Sequence, residues 1–165
     1  MEQILLDTNF VSVLFDPRRT NFDAVQARAK AFADSDLVYL SAIVLAELRY
    51  GMEAAQRAGQ DITHIRHTLA QAANYPLAEV GRHTAESYGE VKARLAAHYL
   101  DLSRRPPRWI ENWQDRASGQ MLQVDENDLW IVAQAIERDY LLLTCDRRLA
   151  DRFRPAITEL RLEVV

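Results

Sequence analysis

The chain has 165 residues, of which 48% are hydrophobic and 27% are charged. This composition excludes a disordered chain and favours one globular domain, 1–165, with a real core. No apolar run approaches the roughly 20 residues of a membrane-spanning helix, and the N-terminus lacks the pattern of a secretory signal. The single cysteine, Cys145, cannot form an internal disulfide, so we expect a reducing, cytoplasmic location.

The net charge of the chain limits the ways in which it can bind nucleic acid. With 20 basic and 24 acidic residues, the formal net charge is −4. Proteins that bind nucleic acid through general electrostatic attraction are usually basic. A nucleic-acid partner would therefore have to be attracted by bound metal and a local basic patch.

The first half of the chain predicts three strands and four helices. Apolar residues recur at spacings of three and four in the helical segments, as Phe22, Val25, Ala29 and Phe32 do. In chain order the predicted elements are a strand at 3–6, a short helix at 11–15, an amphipathic helix at 22–32, a strand at 37–40, a helix from Ser41 towards Arg57, a helix from Asp61 to Asn74, and a strand at 77–80.

The second half predicts two helices and two strands around an irregular segment. The helices are expected at 84–101 and from Asn127 onward, and the strands at 140–144 and 160–165. The intervening segment, 103–126, is expected to be an insertion or a helical hairpin. Strands that alternate with helices predict an α/β fold, with helices on both faces of a mostly parallel sheet.

Four acidic residues interrupt apolar segments of the chain: Asp7, Glu47, Asp128 and Asp146. Asp7 and Asp146 each follow a predicted buried strand. Ligands bind at the carboxyl edge of the strands in open α/β sheets. We therefore expect the four acids to meet in one acidic pocket.

Each of these acids also has a purely structural explanation. Asp7 and Asp146 could cap the helices that follow them, Asp128 could interact with a helix dipole, and Glu47 could face solvent. Against this, Glu47 has apolar neighbours, and an unpaired buried charge is unfavourable.

A pocket that contains all four acids would need a cation. Carboxylates about 5 Å apart repel by roughly 3 kcal/mol per pair at an effective dielectric constant near 20. Oxygen ligands without histidine or cysteine suit Mg²⁺ or Mn²⁺ better than zinc. Such a site is typical of phosphoryl chemistry.

The acids lie in four short motifs that span nearly the whole chain: LLDTN at 5–9, AELRYG at 46–51, NDLWIVA at 127–133 and TCD at 144–146. In this order they resemble the PIN-domain ribonucleases and, more closely, the VapC toxins of bacterial toxin–antitoxin modules. The resemblance implies a three-layer α/β/α fold. It also implies an Mg²⁺- or Mn²⁺-dependent endoribonuclease that cleaves RNA by metal-activated water, is inhibited by a VapB-like antitoxin, and forms homodimers.

The resemblance also assigns roles to individual residues. The family's catalytic, metal-binding acids match Asp7, Glu47, Asp128 and Asp146. Its supporting polar positions match Thr8, Asn9, Asn127 and Thr144.

Other interpretations stay open. One is a catalytically silent PIN-like module that binds RNA or protein. Another is a HAD-like phosphatase, although such enzymes usually need a second aspartate where this chain has Asn9. A phosphoacceptor receiver domain is disfavoured because no lysine follows Lys92.

The irregular segment contains a basic and aromatic cluster. Trp109 and Trp113 are four residues apart, which predicts one helical face, and they are more typical of a core or interface than of base stacking. Asp125 is a candidate accessory acid. His64 and His67 lack the further ligands of a zinc site. The possible RNA-contacting residues are Arg104, Arg105 and Arg108, which could equally be solvated surface charges.

Overall fold

The computed structural model describes all residues, 1–165, and contains one five-stranded sheet. The strands are β1 (Gln3–Leu6), β2 (Leu37–Ser41), β3 (Leu77–Ala78), β4 (Leu141–Thr144) and β5 (Leu162–Val164). Their order across the sheet is β3-β2-β1-β4-β5. Every neighbouring pair is parallel, so the predicted sheet is confirmed.

Seven α-helices connect the strands and complete a three-layer α/β/α architecture, which confirms the predicted fold class. They are α1 (Thr8–Leu14), α2 (Phe22–Lys30), α3 (Ala42–Arg57), α4 (Thr63–Ala72), α5 (Arg82–Tyr99), α6 (Glu126–Glu137) and α7 (Arg147–Phe153). None of these helices combines the length and the apolar character that a membrane span requires.

The two central strands form the middle of the hydrophobic core. Leu6 of β1 and Leu143 of β4 are paired in register, and neither is exposed to solvent. Central parallel strands are covered on both faces, which explains their continuous apolar sequences. The same register places the next residues, Asp7 and Thr144, beside each other at the carboxyl edge of the sheet.

Several element boundaries differ by a few residues from the prediction, and two of the differences have a clear physical cause. Helix α1 begins at Thr8 rather than at position 11, because the Asp7 side chain accepts a hydrogen bond from the Thr8 N–H at the helix start. Strand β3 contains two residues rather than four. Ala78 pairs with Ser41, the last residue of β2, and the chain then turns into α3, so Glu79 has no partner strand.

The segment between α5 and α6 is not the helical hairpin that was one of the two predictions for it. Its only helical turn is a 3₁₀ turn at Ile110–Asn112. Proline at 106 and 107 disfavours a helix there. Trp113 is buried and donates a hydrogen bond from Nε1 to the Pro107 carbonyl at 2.8 Å, whereas Trp109 is 50% exposed. The two tryptophans therefore share no helical face.

Candidate active site

All four predicted acids line one cavity of about 410 Å³ at the carboxyl edge of the sheet. Only one of its eleven lining residues is hydrophobic. Arg148 is the single basic residue among them. The acidic lining residues are Asp7, Glu47, Glu111, Asp125, Asp128 and Asp146.

Asp7 is the most deeply buried of these acids, with 2% of its surface exposed. Its Oδ2 accepts a hydrogen bond from Thr144 Oγ1 at 2.6 Å, and its Oδ1 accepts one from the Thr8 N–H at 2.7 Å. Burial raises the pKa of Asp7 to about 6, and the negative charges of Glu47 and Asp146 act in the same direction. The two hydrogen bonds oppose this shift without cancelling it.

Glu47 lies on α3, whose start is fixed by Ser41 Oγ accepting the Ile43 N–H. The glutamate is half-buried. Its Oε1 accepts a hydrogen bond from Asn127 Nδ2 at 2.9 Å, and its Oε2 accepts one from Thr8 Oγ1. Glu47 therefore has the partners that its apolar sequence context demanded, and both are neutral donors.

Asp128 is part of a capping box at the start of α6. Its Oδ2 accepts the Asp125 N–H at 2.9 Å, and the Asp125 Oδ1 accepts the Asp128 N–H at 2.9 Å. Burial is the main cause that raises the pKa of Asp128 to about 7, and the charges of Asp125, Asp7 and Asp146 add to it. This carboxyl group is therefore poorly suited to carry its charge without a neighbouring cation.

Asp146 differs from the other predicted acids because an arginine holds it. It accepts hydrogen bonds from the Arg148 backbone N–H at 2.8 Å, from Arg148 Nε at 3.2 Å and from Arg148 Nη2 at 3.0 Å. Partial burial acts to raise the pKa of Asp146, but the bonds and charge of Arg148 outweigh it, so this pKa lies below its ordinary value. Its carboxylate is the one most fully engaged by the protein itself.

The structure confirms the expected capping by Asp7 and Asp146, and Asp128, which was expected only to interact with a helix dipole, takes part in a capping box. Asp7, Asp128 and Asp146 each accept or complete hydrogen bonds at a helix start. Capping alone does not require the three caps to face one cavity, and it does not account for the raised pKa values of Asp7 and Asp128. The caps position the individual carboxylates, and the fold places all of them around the same cavity.

The other predicted residues are distributed unevenly around the cavity. Asn9 lines it but is exposed, whereas Arg108 lies over the Trp109 ring, 4.7 Å from its centroid. Neither Arg104, Arg105 nor Arg108 lines the cavity.

Three polar lining residues were missed in the sequence: Glu111, Gln123 and Arg148. Glu111 accepts the Glu126 N–H at 3.1 Å and comes from the irregular segment, where no periodicity marks a position. Gln123 has a left-handed backbone, with φ at 58°, which its sequence context does not signal. Arg148 did carry a signal, because it lies two residues after the last acid of the fourth motif.

The cavity suits a hard divalent cation by its chemistry. Its potential ligands are carboxylate, hydroxyl and amide oxygens, and no histidine or cysteine lines it, which favours Mg²⁺ or Mn²⁺ over zinc. No three acidic, histidine or cysteine side chains are close enough together to surround an ion in this structure. Each carboxylate is held by its own protein partner instead, so the residues fit the cation by donor type without forming a complete set of ligands in this structure.

Comparison with known proteins identifies the family. The model of the PIN domain matches residues 4–153, whereas a search of curated protein sequences finds no match.

Similar solved structures include VapBC2 from Rickettsia felis bound to promoter DNA, with a TM-score of 0.66, 18% identity and 98% of each chain covered. VapBC-5 of the Mycobacterium tuberculosis toxin–antitoxin systems has a TM-score of 0.61, 23% identity and full coverage of both chains. VapC20 of M. tuberculosis, a toxin that cleaves the sarcin–ricin loop, has a TM-score of 0.54 and 15% identity, with 90% of this chain and 93% of that chain covered. The family match spans most of the chain and agrees with its fold, so the protein belongs to the PIN-domain family.

Proposed function

We propose that this protein is an Mg²⁺- or Mn²⁺-dependent endoribonuclease and the toxin of a type II toxin–antitoxin pair. The observation that carries the proposal is that Asp7, Glu47, Asp128 and Asp146 line one cavity of a PIN-domain protein. Further support comes from the similar folds of VapBC proteins and of VapC20, which cleaves the sarcin–ricin loop.

The chain supplies positioned acids rather than a covalent nucleophile. Asp7, Glu47 and Asp128 would hold the divalent cation, whose chemistry is to polarise a phosphate oxygen and to lower the pKa of bound water. Thr144 orients the Asp7 carboxylate, and Thr8 contacts both Asp7 and Glu47. Hydrolysis with the 3′ oxygen as leaving group would produce a 5′-phosphate and a 3′-hydroxyl.

Cleavage of RNA by the purified protein, free of antitoxin, tests the nuclease. Structured RNA should be cut with Mg²⁺ or Mn²⁺, and EDTA should stop the reaction. Asp7→Asn and Asp128→Asn should abolish cleavage while leaving the fold intact by circular dichroism. Asp151→Asn removes an exposed acid outside the cavity and should retain activity. Full activity in both cavity variants would contradict the assignment.

Toxicity and partners require a separate test. We propose a VapB-like antitoxin as the partner, a homodimer as the assembly and the cytoplasm as the location, where cellular RNA is accessible. Expression of the protein alone should arrest bacterial growth, and co-expression of the neighbouring small gene should rescue it. If the purified protein cleaves RNA but cells that express it grow normally, the nuclease has a role other than that of a toxin.

A catalytically silent binding module is the second candidate. Two observations favour it. No group of three acids forms a metal site in this structure, and Asp146 is engaged by Arg148. RNA binding without cleavage at any tested Mg²⁺ or Mn²⁺ concentration would favour it. Two observations argue against the phosphatase alternative: the PIN-domain match, and Asn9 at the position where such enzymes need a second aspartate.

A further inference from the structure

A second cavity of about 290 Å³ adjoins the acidic one, and its charge is different. The two cavities share Asn9, Asp146 and Arg148. Six carboxylates and one arginine line the acidic cavity, whereas Arg19 and Arg148 face a single acid, Asp146, in the second. Acidic residues therefore outnumber basic ones in the first cavity, whereas basic residues outnumber acidic ones in the second.

Arg148 forms the boundary between the two cavities. Its Nε and Nη2 bind Asp146, and its Nη1 makes no hydrogen bond. The side chain is 63% exposed. Its planar guanidinium can therefore keep Asp146 as a partner and still offer donors to a second anion.

Arg19 is positioned by a buried carboxylate in the loop between α1 and α2. Asp16, with 6% of its side chain exposed, lies 3.4 Å from Arg19 Nε. Asp16 also binds Arg18 through two hydrogen bonds between their side chains and lies 3.2 Å from His64 Nε2. This anchored loop holds Arg19 by its inner nitrogen, while the arginine side chain stays 60% exposed.

We propose that Arg19 and Arg148 form a phosphate subsite, which binds the RNA phosphate next to the one that is cleaved. This inference rests on the proposed function. Guanidinium groups match the geometry of phosphate oxygens and form charge-assisted hydrogen bonds with them. The chain as a whole is acidic, so a neighbouring RNA phosphate needs local cations beyond any ion in the acidic cavity. This pair supplies them at its edge.

Binding of fluorescein-labelled single-stranded RNA, measured by anisotropy with Mn²⁺ over a range of salt concentrations, tests the subsite. All variants carry Asp7→Asn, so that the RNA stays intact. Arg19→Gln and Arg148→Gln should each weaken binding by about tenfold and should each reduce the salt slope by about 0.7. Arg147→Gln and Arg82→Gln remove the same charge outside both cavities and should stay near the parent.

RNA length locates the contact on the substrate. Two oligonucleotides are compared, each of which lacks the phosphate on one side of the cleavage site. The parent protein should bind one of the two more weakly than the other. The Arg19→Gln/Arg148→Gln double variant should lose this difference, because the group that reads the phosphate is gone. A double variant that discriminates as the parent does overturns the subsite.

The possible failures are distinguishable. If the wild-type protein cleaves RNA while both arginine variants bind like the controls, the subsite is wrong and the nuclease stands. If RNA binds with the expected arginine dependence but no cation supports cleavage, the proposed enzyme is wrong. If the variants weaken binding of the antitoxin and not of RNA, the cavity belongs to that protein and the subsite is again overturned.

Discussion

Thr144 Oγ1 donates a hydrogen bond of 2.6 Å to Asp7 Oδ2, although 137 residues separate the two in sequence. The same hydroxyl oxygen accepts the Asp146 N–H at 2.9 Å. One fully buried side chain thus connects the acids that follow β1 and β4. The register that pairs Leu6 with Leu143 makes this contact possible, because it brings the next residues of both strands together.

Replacement of Thr144 by valine should separate shape from hydrogen bonding. Thr144→Val keeps the volume but leaves the buried Asp7 carboxylate without its closest donor. We expect the free energy of unfolding to fall by about 1–3 kcal/mol, as for other buried groups that lose a partner. Thr144→Ser keeps the hydroxyl and should bind Mn²⁺ more tightly than the valine variant. Urea denaturation and calorimetric Mn²⁺ titration of both variants check this, and equal Mn²⁺ affinities would contradict it.

The raised pKa values of Asp7 and Asp128 predict an unusual pH dependence for the metal-free protein. Their pKa values are about 6 and about 7 in the folded chain and near 3.9 when unfolded. The folded state therefore binds more protons, and its stability should fall as pH rises through this range. Between pH 5 and 8 we expect a loss on the order of 2–4 kcal/mol, measured by urea denaturation in EDTA. The pKa of Glu159 is instead lowered to about 2, mainly by its hydrogen bonds with Arg94. Its contribution to the stability of the folded state is therefore lost only in more acidic solution.

Neutralising one acid provides the control for that pH dependence. Asp128→Asn can still accept the Asp125 N–H through its amide oxygen, and it removes the half-buried charge. This variant should be more stable than the wild type at pH 8 without metal, while being inactive. Asp151→Asn, at an exposed position of α7, should keep the wild-type pH dependence. Saturating Mg²⁺ should stabilise the wild type and not Asp128→Asn, because only a folded site that binds the cation is stabilised by it.

The sequence was informative where the physical pattern was repetitive or the chemistry was unusual. Largely apolar runs at 3–6 and 140–144 predicted the central strands because both faces of these strands are covered. Asp7 and Asp146 were predicted to be neighbours because they follow such strands, and they line one cavity. Glu47 was selected by the conflict between its charge and its apolar context, and hydrogen bonds from Asn127 and Thr8 resolve that conflict.

Other features depend on tertiary contacts that leave no local pattern. The segment between α5 and α6 is fixed by individual buried side chains such as Trp113 and Leu122, which follow no period. Glu111 reaches the cavity only because that segment packs against the start of α6. The engagement of Asp146 by Arg148 depends on side-chain geometry, so the sequence ranked this acid with the others. The role of all these acids in metal binding stays a prediction.

The amide of Asn127 should matter through Glu47 rather than through the substrate. Its Nδ2 donates to Glu47 Oε1 at 2.9 Å. Asn127→Ala should weaken Mn²⁺ binding by roughly 10–100-fold, as is common when the partner of a metal ligand is removed. Asn127→Asp should be worse, because it replaces the donor by another negative charge. Calorimetric Mn²⁺ titration separates these outcomes from a loss of fold, and wild-type affinity in Asn127→Asp would contradict this role.

The two tryptophans of the segment between α5 and α6 should respond differently to truncation. Trp113→Ala removes a buried ring and its bond to Pro107, and it should lower the free energy of unfolding by about 3–5 kcal/mol. Trp109→Ala, at a half-exposed position, should cost less than about 1 kcal/mol. Because Trp113 anchors the segment that carries Glu111, we also expect faster proteolysis near 103–124 in its variant. Equal stability of the two variants, measured by urea denaturation, would mean that the segment is held without Trp113, through contacts such as the bond between the Ile110 N–H and Glu126.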